Sequence, residues 1–176
     1  MKAAAAVCLA ALACTGRGPA PAPPSGPPAP ARDVTARDWV GPPLDRGQVV
    51  VHDAYGGTHP LSVEIADTQP MRTRGMMWRT SVPEGTGMLF IFPSEDEHGF
   101  WMRNTLVPLD MVFLDRTGAV VGVVAQAEPR STDHRTVGRP SLYVLEVAGG
   151  WAEKRGVAPG SRVELRGELA ARPGRP

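Results

Sequence analysis

The chain has 176 residues, of which 19 are lysine or arginine and 18 are aspartate or glutamate, so its formal net charge is +1. This length fits one domain with additional terminal segments. Residues 46–166 hold 13 basic and 14 acidic residues without a basic block, which argues against nucleic-acid binding and against docking on a membrane through basic side chains.

Residues 1–13 have the composition of a secretory signal peptide. Lys2 is followed by an apolar run of alanine, valine and leucine, far shorter than the roughly 20 residues that span a bilayer as a helix. The run ends Ala11-Leu12-Ala13-Cys14, which resembles a bacterial lipobox. We therefore expect lipidation of Cys14 and an exported, periplasmic or outer-membrane-attached lipoprotein. The alternatives are ordinary cleavage without lipid and an uncleaved helix.

Residues 14–45 are predicted to be the anchor cysteine and a stalk. The segment 15–45 contains nine prolines and little that can form a core, a composition typical of extended, semi-rigid linkers. Both cysteines of the chain, Cys8 and Cys14, precede this stalk. The remainder of the chain therefore has no disulfide, no cysteine metal site and no cysteine nucleophile.

Residues 46–167 are predicted to form a single globular domain, followed by a polar tail at 168–176. Alternation of apolar and polar residues at 61–66 predicts a half-buried strand, and the apolar run 87–92 predicts a strand buried on both faces. Asp115-Arg116-Thr117-Gly118 predicts a hairpin turn. We predict strands at 48–51, 61–66, 87–92, 98–103, 111–114, 119–124, 142–147 and 162–165, with short helices at 69–77 and 149–155. The fold class is α+β, mainly β: an antiparallel sheet or flattened barrel with two short helices.

Several motifs along this domain resemble one family. They are Arg74-Gly75-Met76-Met77, Gly87–Phe92, Phe100–Thr105, Pro108-Leu109-Asp110, Val144–Val147, Gly150-Trp151 and Gly156-Val157-x-x-Gly160. Their order and spacing resemble domain of unknown function 192 (DUF192, uncharacterised protein family 0127). The resemblance implies a compact β-rich domain, often behind a signal peptide, and implies no established activity. One departure is Thr68-Gln69-Pro70-Met71, which lacks the glutamates of the capping box at the family's helix start.

Trp101 and Arg103 are the first candidate site residues. In a strand they share one face, where the indole offers a stacking surface and the guanidinium a fork for carboxylates or phosphates. They favour a small anionic or glycan ligand. The alternative interpretation, which burial statistics favour, places Trp101 in the core and pairs Arg103 with an acidic residue.

Asn104, Asp110 and Glu146 complete the candidate site. Asn104 and Asp110 bracket a turn, and bonding to backbone amides is the favoured role for both. Glu146 lies in an apolar strand, where a carboxylate is either paired or has a raised pKa. We favour an ion pair of Glu146 with Arg103 or Arg74. The other interpretation makes Glu146 a general acid or base.

Two classes of function remain open. The first is an envelope-tethered, non-catalytic ligand-binding or accessory module, which we expect to be a monomer. The second is a hydrolase or lyase that uses Glu146 or Asp110 as acid or base, with Arg103 holding an anionic substrate. The four histidines lack metal-ligand spacing, and no phosphate-binding or dinucleotide-binding motif is present. The sequence therefore predicts no metal site and no cofactor.

Overall fold

The computed structural model describes residues 33–172. Its strands and helices are β1 (Arg46–His52), β2 (Thr58–Ala66), α1 (Gln69–Arg74), β3 (Thr86–Asp96), β4 (Leu109–Leu114), β5 (Val120–Ala127), β6 (Ser141–Ala148), α2 (Trp151–Lys154) and β7 (Arg162–Leu165), followed by a 3-10 turn at Gly167–Ala171. No helix in this part of the chain is long and apolar enough to cross a membrane. The predicted signal peptide, Cys14 and the first part of the predicted stalk lie outside the described residues.

The seven strands form one curled sheet in the order β5-β4-β6-β3-β2-β1-β7. All neighbours are antiparallel except β2 and β3, which are parallel. An isolated bridge joins Ala119, just before β5, to Arg162 at the start of β7, so the two edges of the sheet meet there. The predicted fold class is confirmed as a mainly β, half-barrel-like sheet with two helices.

Both faces of the central strands are buried, and they differ in composition. One face packs mainly valine, leucine and isoleucine, among them Leu89 and Ile91 of β3. The opposite face, called here the Met/Phe face, buries four methionines and two phenylalanines: Met76, Met88, Met102, Met111, Phe90 and Phe113. The apolar run in β3 thus supplies both cores, because successive strand residues point to opposite faces.

The predicted strand at 98–103 is wrong. This segment crosses the Met/Phe face as an irregular loop that pairs with a second loop instead of the sheet. The Phe100 N–H donates to the Arg135 carbonyl at 2.9 Å, and the Met102 N–H donates to the Ser131 carbonyl at 2.9 Å. The apolar residues of this segment suggested a strand. They are apolar because the loop covers the sheet, and Met102 is completely buried beneath it.

Helix α1 begins at Gln69 as predicted but ends three residues earlier than predicted, at Arg74. Thr68 makes no side-chain capping bond, and Gly75 ends the helix with φ of 45°. A residue with a Cβ is strained in that conformation, and its Cβ would also lie 3.1 Å from the Phe90 ring. The predicted residues Met76 and Met77 therefore lie in a turn that follows the helix.

The folded part extends beyond both predicted boundaries. Thr35, in the predicted stalk, accepts hydrogen bonds from the Trp78 indole N–H at 2.9 Å and from the Asn104 amide at 3.1 Å. At the other end Leu169 is 2% exposed in the aliphatic core, and Arg172 pairs with Asp45 at 2.6 Å. Residues 33–45 and 168–172 thus pack against the domain. Each segment contributes only a few apolar side chains or backbone groups, which its overall composition does not reveal.

Candidate functional site

A cleft of about 250 Å³ opens on the Met/Phe face, between α1 and the loop that contains Phe100. Its lining combines two arginines, several aromatic rings and one carboxyl group: Gln69, Arg72, Thr73, Arg74, Gly75, Met76, Met77, Phe90, Phe92, Gly99, Phe100, Trp101, Thr105 and Glu146. The volume lies just below the roughly 300–1,000 Å³ of most small-molecule sites. The cleft therefore suits a small ligand.

Glu146 is the carboxyl group in this lining. In β6 it lies between Met88 of β3 and Met111 of β4, its partners in the strand register. The residue is 4% exposed, and its buried Oε2 has no hydrogen-bond partner among residues 33–172. Burial raises the pKa of Glu146 from its usual 4.5 to about 8, against an opposing effect of the Arg79 charge. At neutral pH the group is therefore a neutral proton donor.

Arg79 does not neutralise Glu146, because its guanidinium pairs with Glu64 of β2. Glu64 is aligned with Met88 across the β2–β3 pair, and Met88 is in turn aligned with Glu146. The two glutamates therefore point to the same face of the sheet with one strand between them. Glu64 therefore pairs with Arg79, the cation whose charge acts on Glu146.

Arg72 and Arg74 are held on one side of the cleft by backbone carbonyls. Arg72 Nη1 donates to the carbonyls of Asp67 (2.6 Å) and Ile91 (2.8 Å), and its guanidinium lies over the Phe92 ring. Arg74 Nη1 donates to the carbonyls of Val34 and Ala36. Desolvation lowers the pKa of both arginines. Each is thus a partly buried cation whose known acceptors are neutral.

The structure does not bring Arg103 and Glu146 together. Arg103 is exposed, does not line the cleft and lies over the Trp101 ring, 5.8 Å from its centroid. The predicted ion pair of Glu146 with Arg103 or Arg74 is wrong, because neither guanidinium forms an ion pair with it. The face assignment failed because residues 98–103 do not alternate as a strand. Trp101 is 45% exposed and lines the cleft. The alternative interpretation, which placed it in the core, is therefore wrong.

Asp110 lies outside the cleft and organises the start of α2. Its side chain is completely buried and accepts three backbone hydrogen bonds: from Gln126 at 2.7 Å, Gly150 at 2.9 Å and Ala152 at 2.7 Å. The prediction that Asp110 binds backbone amides is confirmed. These amides belong to the start of α2 and the end of β5, however, and not to the turn that Asp110 follows. With both oxygens engaged, Asp110 has little capacity left for a ligand.

Asn104 is also turned away from the cleft. It adopts a left-handed conformation with φ of 60°, which asparagine tolerates better than most residues. Its side-chain amide donates to the Thr35 carbonyl, and so joins the turn to the N-terminal segment. Of the five candidate residues, the cleft brings together Trp101 and Glu146 and leaves out Arg103, Asn104 and Asp110.

The sequence interpretation missed the α1 side of the cleft. Gln69, Arg72 and Thr73 recur at spacings of three and four residues, which places them on one helix face. That spacing predicts a shared polar face, which is ordinarily exposed to solvent, so it gave no specific signal of a site. Within residues 33–172 no three histidine, cysteine or acidic side chains converge in a way that would hold a metal ion.

Comparison with known families accounts for most of this domain. The DUF192 family model, described as "Uncharacterized ACR", matches residues 50–165. The chain belongs to the DUF192 family. The predicted resemblance is thereby confirmed, and the match covers β2–β7 and both helices.

Two solved structures share the DUF192 fold described here. A proposed transcription regulator from Sinorhizobium meliloti 1021 is 34% identical, with a TM-score of 0.69 over 72% of this chain and 98% of that chain. A protein of unknown function from Novosphingobium aromaticivorans DSM 12444 is 30% identical, with a TM-score of 0.66 over 77% of this chain and 99% of that chain. Comparison with curated proteins gave no match.

Proposed function

We propose that this DUF192 domain is a non-catalytic binding module whose cleft takes a small ligand. The observation that carries the proposal is Glu146, a buried carboxyl without a hydrogen-bond partner in the lining of an open cleft. A buried polar group that is left unpaired costs about 1–3 kcal/mol. A ligand atom that accepts the Glu146 proton would recover that cost, so the group favours ligands with a carbonyl, hydroxyl or carboxylate oxygen.

The second candidate is a hydrolase or lyase with Glu146 as general acid. A pKa of about 8 suits proton donation near neutral pH. Such an enzyme needs a second acid, base or nucleophile facing the same ligand. Asp110 does not line the cleft, and its oxygens accept three backbone bonds. We therefore place binding before catalysis.

Amide NMR with small neutral probes tests the binding module. Acetamide, cyclohexanone and glucose each carry an oxygen that accepts a hydrogen bond. At least one probe should shift the amides of Phe90, Gly99 and Thr105 in the full chain. Glu146→Gln should retain part of this binding because its amide still donates, and Glu146→Leu should abolish it.

Glu84→Gln is the matched control, because it changes an exposed carboxyl group that pairs with Arg155 outside this cleft. It should bind the probes as the wild type does. If Glu146→Leu binds every probe as well as the wild type, Glu146 does not recognise the ligand. Hydrolysis of 4-nitrophenyl acetate that Glu146→Gln abolishes would favour the enzyme instead.

We further propose that the domain is held at the cell envelope by a lipid on Cys14, as a monomer. The support is the apolar leader that ends at Cys14 and the proline-rich segment after it. Cys14→Ser should move the protein from the membrane fraction to the soluble periplasmic fraction. Wild-type protein that is soluble and carries no lipid mass would contradict the anchor. The role of transcription regulator proposed for the Sinorhizobium protein is not carried over to this chain, because residues 46–166 lack the basic block typical of nucleic-acid binding.

A further inference from the structure

The charged groups of the cleft identify a class of ligand. Resting on the binding function proposed above, we infer that the cleft takes a small organic monocarboxylate. Its carboxylate faces Arg72 on the α1 side, and its body lies against the phenylalanine rings toward Glu146. This assignment differs from the sequence expectation, in which Arg103 held the anion, because Arg103 does not line the cleft.

The first argument is the charge balance. Arg72, Arg74 and Glu146 are the ionisable side chains in the lining. With Glu146 protonated, the lining carries two positive charges and no negative charge. Neither arginine pairs with a carboxylate among the described residues. Asp67 and Asp38 act on Arg72 and Arg74 from a distance but form no ion pair with them, so the two charges still favour an anionic ligand.

The second argument is the geometry of the guanidinium donors. Arg72 uses Nη1 for both of its hydrogen bonds, to the carbonyls of Asp67 and Ile91. Its Nε and Nη2 donors have no acceptor among the described residues. These two nitrogens form the side-on fork that matches the two oxygens of a carboxylate. The carbonyl bonds and the Phe92 ring hold this fork in place before a ligand arrives, which reduces the ordering cost of binding.

The third argument is the rest of the lining. Phe90 and Phe100 meet edge to face at 5.1 Å between ring centroids, and Trp101 remains partly exposed. These rings fit an apolar body, and Glu146 fits an oxygen at its far end. A cleft of about 250 Å³ has room for one such molecule and not for a chain of sugars. The ligand is therefore a short carboxylate with a second oxygen.

A matched set of probes tests the inference. We would titrate the full chain with 4-oxopentanoate, with its neutral amide and with pentanoate, and follow the cleft amides by NMR. The carboxylate should bind about tenfold tighter than the amide, because a charge-assisted fork is lost in the amide. Pentanoate lacks the second oxygen and should bind more weakly than 4-oxopentanoate.

Variants locate the effect. Arg72→Gln should remove the preference for the carboxylate over the amide. Arg72→Lys keeps the charge but loses the fork, and should retain part of the preference even if Arg72→Gln does not fold. Arg103→Gln is the matched control on the exposed guanidinium and should bind as the wild type does.

The pH dependence gives an independent readout. Affinity for the carboxylate should fall as the pH rises through about 8, because the negative charge of ionised Glu146 repels it, and Glu146→Gln should remove the fall. The other charged groups on this side of the sheet are Arg72 and Arg74 of α1, the ion pairs Arg79–Glu64 and Arg172–Asp67, and His98, whose pKa is lowered by desolvation.

The possible outcomes separate the inference from the proposed function. If the amide and the carboxylate bind equally and Arg72→Gln changes neither, the inference is overturned, and the binding function survives. If no carboxylate and no neutral probe shifts the cleft amides, both fall. A tenfold preference that depends on Arg72 and not on Arg103 supports both.

Discussion

Two buried carboxyl groups lie in neighbouring strands and behave in opposite ways. Asp110 of β4 is completely buried and accepts three backbone hydrogen bonds. Glu146 of β6 is 4% exposed and accepts none among the described residues. Asp110 holds α2 against the sheet, whereas Glu146 opens onto the cleft. The contrast shows that hydrogen bonding, more than burial, separates a structural carboxylate from one that is available to a ligand.

The largest expected effect is the pH dependence that Glu146 imposes on stability. Its pKa in the folded chain, about 8, lies above the usual 4.5. The folded state therefore binds this proton more tightly than the unfolded state does. The pH-dependent part of its cost is absent below about pH 4.5, grows as the pH rises and is complete above about pH 8, where it reaches on the order of 5 kcal/mol.

Urea unfolding of the wild type and of Glu146→Gln measures this effect. The two should have nearly equal unfolding free energies at about pH 5, where the carboxyl group and the amide are both neutral. At about pH 9 the variant should be more stable by several kcal/mol. Equal stabilities at both pH values would show that Glu146 ionises normally and would remove the contrast with Asp110.

Asp110→Ala tests the other half of the comparison. The change leaves three backbone N–H groups without their acceptor, and we expect the unfolding free energy to fall by about 2–4 kcal/mol. Loss of amide protection from hydrogen exchange at Gly150 and Ala152 should accompany it. Asp115→Ala is a control, because Asp115 also accepts backbone bonds but lies at an exposed turn. It should cost about 1 kcal/mol; an Asp110 effect no larger than this would contradict the structural role.

The smallest expected effect concerns Ser141 at the start of β6. Its hydroxyl group is completely buried and, like Glu146, has no hydrogen-bond partner among residues 33–172. Removing an unsatisfied buried group relieves its desolvation cost. Ser141→Ala should therefore leave stability unchanged or raise it by up to about 1 kcal/mol. A loss of more than about 1 kcal/mol would show that the hydroxyl group has a partner after all.

Much of the fold was predictable from local sequence, and the site was not. The apolar run in β3 and the turn Asp115-Arg116-Thr117-Gly118 located strands and a hairpin, because strand period and turn chemistry are local properties. Residues 98–103 failed because their apolar pattern reflects covering the sheet, a contact set by distant residues. The parallel pairing of β2 with β3 is likewise a property of the whole topology.

The candidate site shows the same division. Glu146 stood out because a carboxyl group in an apolar strand violates an expectation that a single residue can reveal. The absence of an ion pair was not predictable, since Arg79, the cation whose charge acts on Glu146, pairs with Glu64, two strands away from Glu146. Arg72 joins the cleft only because α1 ends at Gly75 and lies over β3. These contacts join elements that are distant in the sequence, so no local sequence pattern predicts them.

The bridge between Ala119 and Arg162 has a consequence for how copies of this chain meet. An exposed edge strand offers unpaired N–H and carbonyl groups on which another chain can add a strand and begin to aggregate. Here β7 has four residues, and its first residue pairs with the segment just before β5. The sheet edges therefore shield one another where they meet, which shortens the template for edge-to-edge association between copies.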